Sequence, residues 1–260
     1  MRNFALFWST NIRSMIKIKK EEVSRMKLMA NKVLVKPSRE MDELILSEND
    51  KIFIDPAFAQ EKHAPTRAIV QNVCPDLNLT SMLWNTSIEL IPGDEVIYSF
   101  EAAMDCIGDD DSRIFIDEKM DKYFIIDYSD IFLAKRNGDI IPINGYVLCE
   151  PLEEEITSKI QLPDFLRKTR SDKFGKVAYL GKRNTEYYEG TGRMVVRQDL
   201  KDPYEVSVGD IIIFDKNCDL PVEYDLHQSI EGRKKTFYRM HRCYIKAIIQ
   251  KSHLHEFGIA

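Results

Sequence analysis

Apolar residues in this chain fall in short runs cut by Pro, Gly, Asp and Asn, without the three-to-four spacing of an amphipathic helix. Segments 32–36, 68–73, 95–100 and 123–126 are rich in Val, Ile, Phe and Tyr, and segments 146–149, 176–180, 210–214 and 236–239 read the same way. β-branched and aromatic side chains suit a pleated, half-buried surface, so these segments predict strands. Many short strands with irregular connections predict an all-β chain of small barrels or sandwiches, not a parallel α/β sheet. Gly93-Asp94 and Gly209-Asp210 stand just before the strongest strands. Glycine there permits a positive φ, and the Asp side chain can tie the turn down.

The pattern occurs twice. Asn31-Lys-Val-Leu-Val-Lys-Pro37 returns as Asn144-Gly-Tyr-Val-Leu-Cys-Glu-Pro151, with the prolines 114 positions apart. Pro92-Gly93-Asp94-Glu-Val-Ile-Tyr98 returns as Val208-Gly209-Asp210-Ile-Ile-Ile-Phe214, 116 positions on, and residues 124–134 match residues 237–247 at 113. Three blocks in one order at nearly one offset indicate a tandem duplication. The predicted organisation is a basic N-terminal extension (1–29), unit 1 (30–135), a short polar joint (136–143), unit 2 (144–250) and a tail (251–260).

Charge and cysteine usage narrow the setting. The chain has 260 residues, 37 basic against 42 acidic, for a net charge of −5, which argues against a general nucleic-acid binder. No apolar run reaches the length of a membrane helix. Five scattered cysteines without a Cys-x-x-Cys favour free thiols in a reducing compartment, hence a cytoplasmic protein. Arg2, Arg13, Lys17, Lys19 and Lys20 all precede the first acid, Glu21. That start reads either as a plain basic extension or as a transit peptide, which would place the chain in a plastid or the mitochondrial matrix.

Catalytic chemistry finds no footing. Asp105 and Asp109-Asp110-Asp111 lack the glycine of a calcium loop and read as a solvated turn. His253-x-His255 and His241-x-Cys243 each offer two ligands where a metal site needs three or four. There is no nucleophile elbow, phosphate loop or dinucleotide fingerprint. The expectation is no enzyme, no metal and no cofactor.

The order of blocks resembles the GroES-like co-chaperonins in duplicated form, as in the tandem co-chaperonins of plastids. In unit 2 the resemblance rests on Tyr146-Val-Leu-Cys-Glu-Pro151, Lys159-Ile160-Gln161-Leu162-Pro163, Gly175-Lys-Val-Ala-Tyr-Leu-Gly181, Val206-Ser-Val-Gly-Asp-Ile-Ile-Ile-Phe214 and Cys243-Tyr-Ile-Lys-Ala-Ile-Ile249. In unit 1, Lys51-Ile52-Phe53-Ile54-Asp55-Pro56 takes the loop position and Ser129-Asp-Ile-Phe-Leu-Ala134 closes the unit. The resemblance implies two tandem small β-barrels and a homo-oligomeric ring. Mobile loops would carry Ile160, Gln161 and Leu162, and Ile52, Phe53 and Ile54, onto a GroEL-type chaperonin in an ATP- or ADP-dependent way, enclosing unfolded clients. It also implies roof hairpins near residues 76–86 and 185–197, for which a plain hairpin tip is the alternative. Unit 1 departs further from the family. Asn49-Asp50-Lys51 and Thr157-Ser158-Lys159 replace the glycines before the loop tripeptides, and Arg67 and Cys74 stand where the second strand's glycines are expected. The competing reading is a structural or assembly protein, for instance of a virus particle, reusing a duplicated barrel.

Overall fold

The computed structural model describes residues 16–39, 43–45, 51–53, 66–78, 86–107, 113–155, 168–182, 186–188, 194–196, 206–215, 220–224 and 235–249. The chain divides into two compact units, residues 1–82 with 87–143, and residues 83–86 with 144–260. The described part is mostly β, as the short β-branched runs predict.

Unit 1 contains β1 (Ile16–Lys17), α1 (Lys20–Val23), β2 (Lys32–Pro37), β3 (Glu43–Ile45), β4 (Lys51–Phe53), β5 (Arg67–Val73) and β6 (Glu95–Tyr98). It continues with α2 (Phe100–Ile107), β7 (Ile114–Ile116), β8 (Lys122–Asp127), β9 (Ile131–Arg136) and β10 (Asp139–Pro142). Unit 2 contains β11 (Tyr146–Glu155), β12 (Lys168–Leu180), β13 (Glu186–Tyr188), β14 (Met194–Val196), β15 (Ile211–Phe214), β16 (Leu220–Tyr224), β17 (Lys235–His241) and β18 (Ile245–Ile249).

The duplication is visible as hydrogen-bonded order. Unit 1 runs β8-β2-β5-β6-β9 through the middle of its main sheet, and unit 2 runs β17-β11-β12-β15-β18. The registers agree residue by residue. Val33 faces Ile126 as Val147 faces Met240, and Val96 faces Ala134 as Ile212 faces Ile248. Register shifts recur at matching places, between Leu34 and Val35 and between Leu148 and Cys149 on one strand, and before Tyr98 and before Phe214 on another. A bulge costs a ladder pairing and bends the strand, so the same irregularity in both units marks a shared backbone plan. A 3-10 turn joins the last two strands of each plan, Tyr128–Asp130 in unit 1 and Arg242–Tyr244 in unit 2.

Several expectations need correcting. Val35 faces Phe124 while Cys149 faces Tyr238, so Phe124 corresponds to Tyr238 and the offset there is 114, not 113. Adjacent aromatics make the match ambiguous by one residue in sequence, whereas a one-residue slip would turn every side chain to the other face. The barrels are not closed among the described residues. The main sheets are open ladders, β1-β7-β8-β2-β5-β6-β9-β10 and β16-β17-β11-β12-β15-β18. Segment 136–143 is no joint, because Asn137 and Gly138, both at positive φ, turn β9 into β10, and Ile143 is fully buried.

The basic extension also belongs partly to unit 1. Ile16 and Lys17 pair in parallel with Phe115 and Ile116, and Val23 and Leu28 are buried against Leu34, Cys74 and Tyr123. The Asn72 side-chain amide donates to the Met26 carbonyl at 2.7 Å and fastens this strap. Finally, β6 stops at Tyr98 rather than running to Phe100. The Ser99 hydroxyl accepts the Ala102 amide at 3.1 Å, and α2 follows with Ala102, Ala103 and Cys106 buried.

Candidate functional site

Each unit's ladder is built around one turn. Gly93 and Gly209 have φ of +96° and +94°. Their amides donate to the carbonyls of Val70 and Val177, both at 2.8 Å. The Asp94 and Asp210 carboxylates each accept the amide three residues back, Ile91 at 2.9 Å and Ser207 at 2.7 Å. These turns align β6 with β5 and β15 with β12 through the following carbonyls, since Val70 and Val177 donate back to Asp94 and Asp210 at 2.9 and 2.8 Å.

In unit 1 a further side chain grips the turn. Arg136 Nε and Nη2 donate to the Asp94 oxygens at 2.8 and 2.7 Å, and Nη2 also reaches the Glu89 carbonyl at 2.8 Å. The bond with Asp94 raises the affinity of the guanidinium for its proton. The residue 114 positions on is Gln250, which lies outside the described residues.

The connection between the first two ladder strands is where the resemblance puts its contact loops. In unit 1 it joins β2 to β5. Ile52 and Phe53 lie in β4, whose backbone pairs antiparallel with β3 so that Ile52 faces Leu44 and Phe53 faces Glu43. Ile54 lies outside the described residues. In unit 2 the connection joins β11 to β12, and Ile160, Gln161 and Leu162 lie outside the described residues.

What leads into that second connection is well defined. β11 and β12 pair beyond the common ladder as far as Glu155 opposite Lys168, whereas β11 pairs β17 only over residues 146–149 and β12 pairs β15 only over 174–176. β11 and β12 therefore continue as a two-stranded ribbon past the rest of the ladder, up to Glu155 and Lys168. Glu153 stands opposite Arg170 along it, a facing pair of opposite charge.

The ribbon bends at its base. Between the pairs Glu153–Arg170 and Pro151–Gly175, β12 has four residues against one on β11. Buried Ser171 organises this bulge. Its hydroxyl accepts the amides of Lys173 and Phe174 at 3.1 and 2.9 Å and donates to Glu154. The next residue, Gly175, lies so close to its neighbour that a Cβ would stand 2.7 Å from Cys149 Sγ. The register places Ala68, not Arg67, at the corresponding position of unit 1, opposite Pro37 as Gly175 is opposite Pro151. The unit 1 residue that corresponds to Cys149 is Val35, opposite Val70. Cys74 does correspond to Gly181, with amides donating to Lys32 and Tyr146 at 3.1 and 2.9 Å.

Among the described residues the remaining candidates are brought to no common centre. Asp105 lies on α2 with Arg113 at 3.6 Å, and Asp109, Asp110, Asp111, His253 and His255 lie outside the described residues. His241 is buried, its ring centroid 4.1 Å from that of Tyr146 with the planes tilted by 31°. Among the described residues no three His, Cys, Asp or Glu side chains are grouped to hold a metal. No described helix is long and apolar enough to cross a membrane. Residues 186–188 and 194–196 form an antiparallel hairpin, Glu186 facing Val196. Arg136, Ser171 and the strap escaped sequence reading. The strap's one local signal is that Val23 and Leu28 are apolar residues set among charged ones.

No known protein-family model matches the chain, and no curated protein matches it.

Proposed function

We propose that this chain is a tandem GroES-like co-chaperonin, a non-enzymatic lid that assembles into a ring and binds a GroEL-type chaperonin with ATP or ADP. The observation that carries the reading is the repeated plan. The same strand order, matching registers and two matching register shifts occur in both units, and in both a tripeptide with apolar ends falls in the connection between the same two strands. Of the sequence blocks that resemble the family, Tyr146–Pro151, Gly175–Gly181, Val206–Phe214 and Cys243–Ile249 overlap β11, β12, β15 and β18.

The ribbon supplies a mechanism for unit 2. The paired strands β11 and β12 reach Glu155 and Lys168, and the contact residues of this reading fall in the sequence between those two positions. Burying a large aliphatic side chain such as Ile160 or Leu162 contributes about 1.5–3 kcal/mol, and ordering the segment takes much of that back. One such contact is weak and reversible. A ring of identical contacts gains strength through effective concentration and releases when nucleotide changes the partner's grooves.

The test is co-elution of the purified chain with a GroEL-type chaperonin, with and without ADP. Nucleotide-dependent co-elution that is lost in the Ile160→Ser/Leu162→Ser double variant, with circular dichroism and oligomer size unchanged, is the expected result. A stable oligomer that never joins the chaperonin would overturn the reading in favour of a structural or assembly protein.

A further inference from the structure

The duplication runs past the ladders into the segments that precede them. Lys32 on β2 and Tyr146 on β11 hold the same place, each opposite the last residue before the 3-10 turn. The residue just before each is left-handed, Asn31 at φ of +65° and Gly145 at +73°. Residues 25–29 therefore correspond to residues 139–143, and β18 corresponds to β9.

In unit 1 the second of these segments meets β9. β10 pairs antiparallel with it, Asp139 opposite Arg136 and Ile141 opposite Ala134. Pro142, opposite Leu133, has no amide to give, and the Ile143 amide donates to the Phe132 carbonyl at 2.8 Å. By the alternation of an antiparallel ladder, residues 139, 141 and 143 turn their backbone groups toward β9. Phe132, Leu133, Ala134 and Ile143 are all buried.

Their counterparts are exposed. Lys246, Ala247 and Ile248 stand on β18 where Phe132, Leu133 and Ala134 stand on β9, and all three are exposed. Among the described residues β18 ends its sheet. Met29, the counterpart of Ile143, is 78% exposed. The segment around it also has the matching parity. The Ser24 and Met26 carbonyls accept the Asn72 side-chain amide at 3.4 and 2.7 Å, which ties the even-numbered residues to unit 1. Lys27 and Met29 turn the other way, as residues 141 and 143 do, and among the described residues no acceptor meets either amide.

Charge fits the same register. Facing residues of an antiparallel pair project from one face of the sheet. Arg136, facing Asp139, grips Asp94 from such a position. In the second plan Gln250 takes the place of Arg136, and Arg25 takes that of Asp139. The arginine has changed strands. Asp210, the counterpart of Asp94, is half-buried, and among the described residues its carboxylate meets the Ser207 amide alone. The chain's own tail suits this edge less well. Lys251-Ser252 replaces Asn137-Gly138, whose two positive φ values make the turn from β9 to β10.

We propose that β18 of one chain takes residues 25–29 of a second copy as an added antiparallel strand, with Lys27 opposite Ile248 and Arg25 reaching Asp210. A strand edge with unpaired backbone groups is a ready template for such addition. The two sides of the contact differ, so chains join head to tail. This joint follows from the duplication and is independent of what the assembled chains bind.

Cysteine pairs read the joint directly, because residues facing across a ladder lie within disulfide reach. A mixture of full-length Lys27→Cys and Ile248→Cys chains should give, on mild oxidation, dimers whose peptide map shows a disulfide between positions 27 and 248. Neither chain alone should form a disulfide at its new cysteine, and the Lys27→Cys/Ile248→Cys chain should give longer covalent oligomers. Arg25→Ala in the otherwise unchanged chain, with circular dichroism as in the parent, should weaken association roughly tenfold in sedimentation experiments. A chain that stays monomeric, an oligomer that never forms the 27–248 link, dimers of Lys27→Cys alone, or an affinity that Arg25→Ala leaves in place would each overturn the proposal. So would an intramolecular disulfide in an Ile248→Cys/His255→Cys chain, which would give the edge to the tail.

Discussion

Arg136 grips both carboxylate oxygens of Asp94, a side chain only 1% exposed, and so ties the end of β9 to the turn that starts β6. The contact is a fork on a carboxylate that has little water to fall back on. Arg136→Gln would leave Asp94 buried with only the amide of Ile91 as a described partner. Removing one member of a buried pair costs more than the pair contributes, and with Arg136 partly exposed the loss should be about 1–3 kcal/mol. A lower urea midpoint at unchanged slope for unit 1 would bear this out, and an unchanged midpoint would refute it.

Gly175 is required by contact, not by conformation. Gly175→Ala would press a methyl on Cys149 Sγ and on the Glu150 carbonyl, 3.2 Å away. Overpacking of this kind costs about 1–3 kcal/mol. The Gly175→Ala/Cys149→Ala double variant should recover part of that loss, because the closest clash is with the sulfur. If the double variant is no more stable than the sum of the single losses predicts, the clash is not the cause.

The strap makes truncation position-dependent. Deleting residues 1–15 removes no described contact, whereas deleting residues 1–29 strips Val23 and Leu28 from Leu34, Cys74 and Tyr123. Each lost apolar side chain is worth about 1.5–3 kcal/mol of burial. The longer deletion should bind a hydrophobic dye and make the Cys74 thiol reactive toward alkylating reagents. A 30–260 chain as stable as the full one would show that the strap is dispensable, and would leave proteolytic removal of residues 1–29 open.

Asp117 and Tyr123 predict an alkaline signature. The phenol donates to Asp117 Oδ2 at 3.1 Å, and the amides of Lys119 and Asp121 donate to Oδ1 at 2.8 and 3.0 Å. Burial pushes the Asp117 carboxyl up, but these bonds and Lys20 outweigh it and hold it below its ordinary value. Burial and the same carboxylate push the Tyr123 hydroxyl up to about 12. Its contribution to stability is present below 10 and is lost as pH rises through about 12. Tyr123→Phe should remove that alkaline loss, seen as a flatter unfolding midpoint above pH 10. A midpoint that falls as steeply as the parent's would exclude Tyr123 as its source.

The strands and the repeat were legible because both depend on local residue type. Val, Ile, Phe and Tyr in short runs, and Gly-Asp before β6 and β15, report directly on backbone preference. Helix α2 was missed because Phe100 continues an apolar run, and only the Ser99 hydroxyl on the Ala102 amide ends the strand. Residues 136–143 looked like a joint because Asn137-Gly138 also suits a hairpin, and the partner strand decides between them.

By itself the sequence determined the all-β character, the duplication and the two turns, since each rests on the steric and hydrogen-bonding habits of neighbouring residues. Only the tertiary structure decided the register that matches Ala68 with Gly175, the bulge at Ser171 and the strap over Leu34. Those features bring together groups far apart in the chain, such as Arg136 with Asp94 and Asn72 with Met26. Local preference cannot specify such meetings; they are set by which packing buries the apolar faces while keeping each buried polar group bonded.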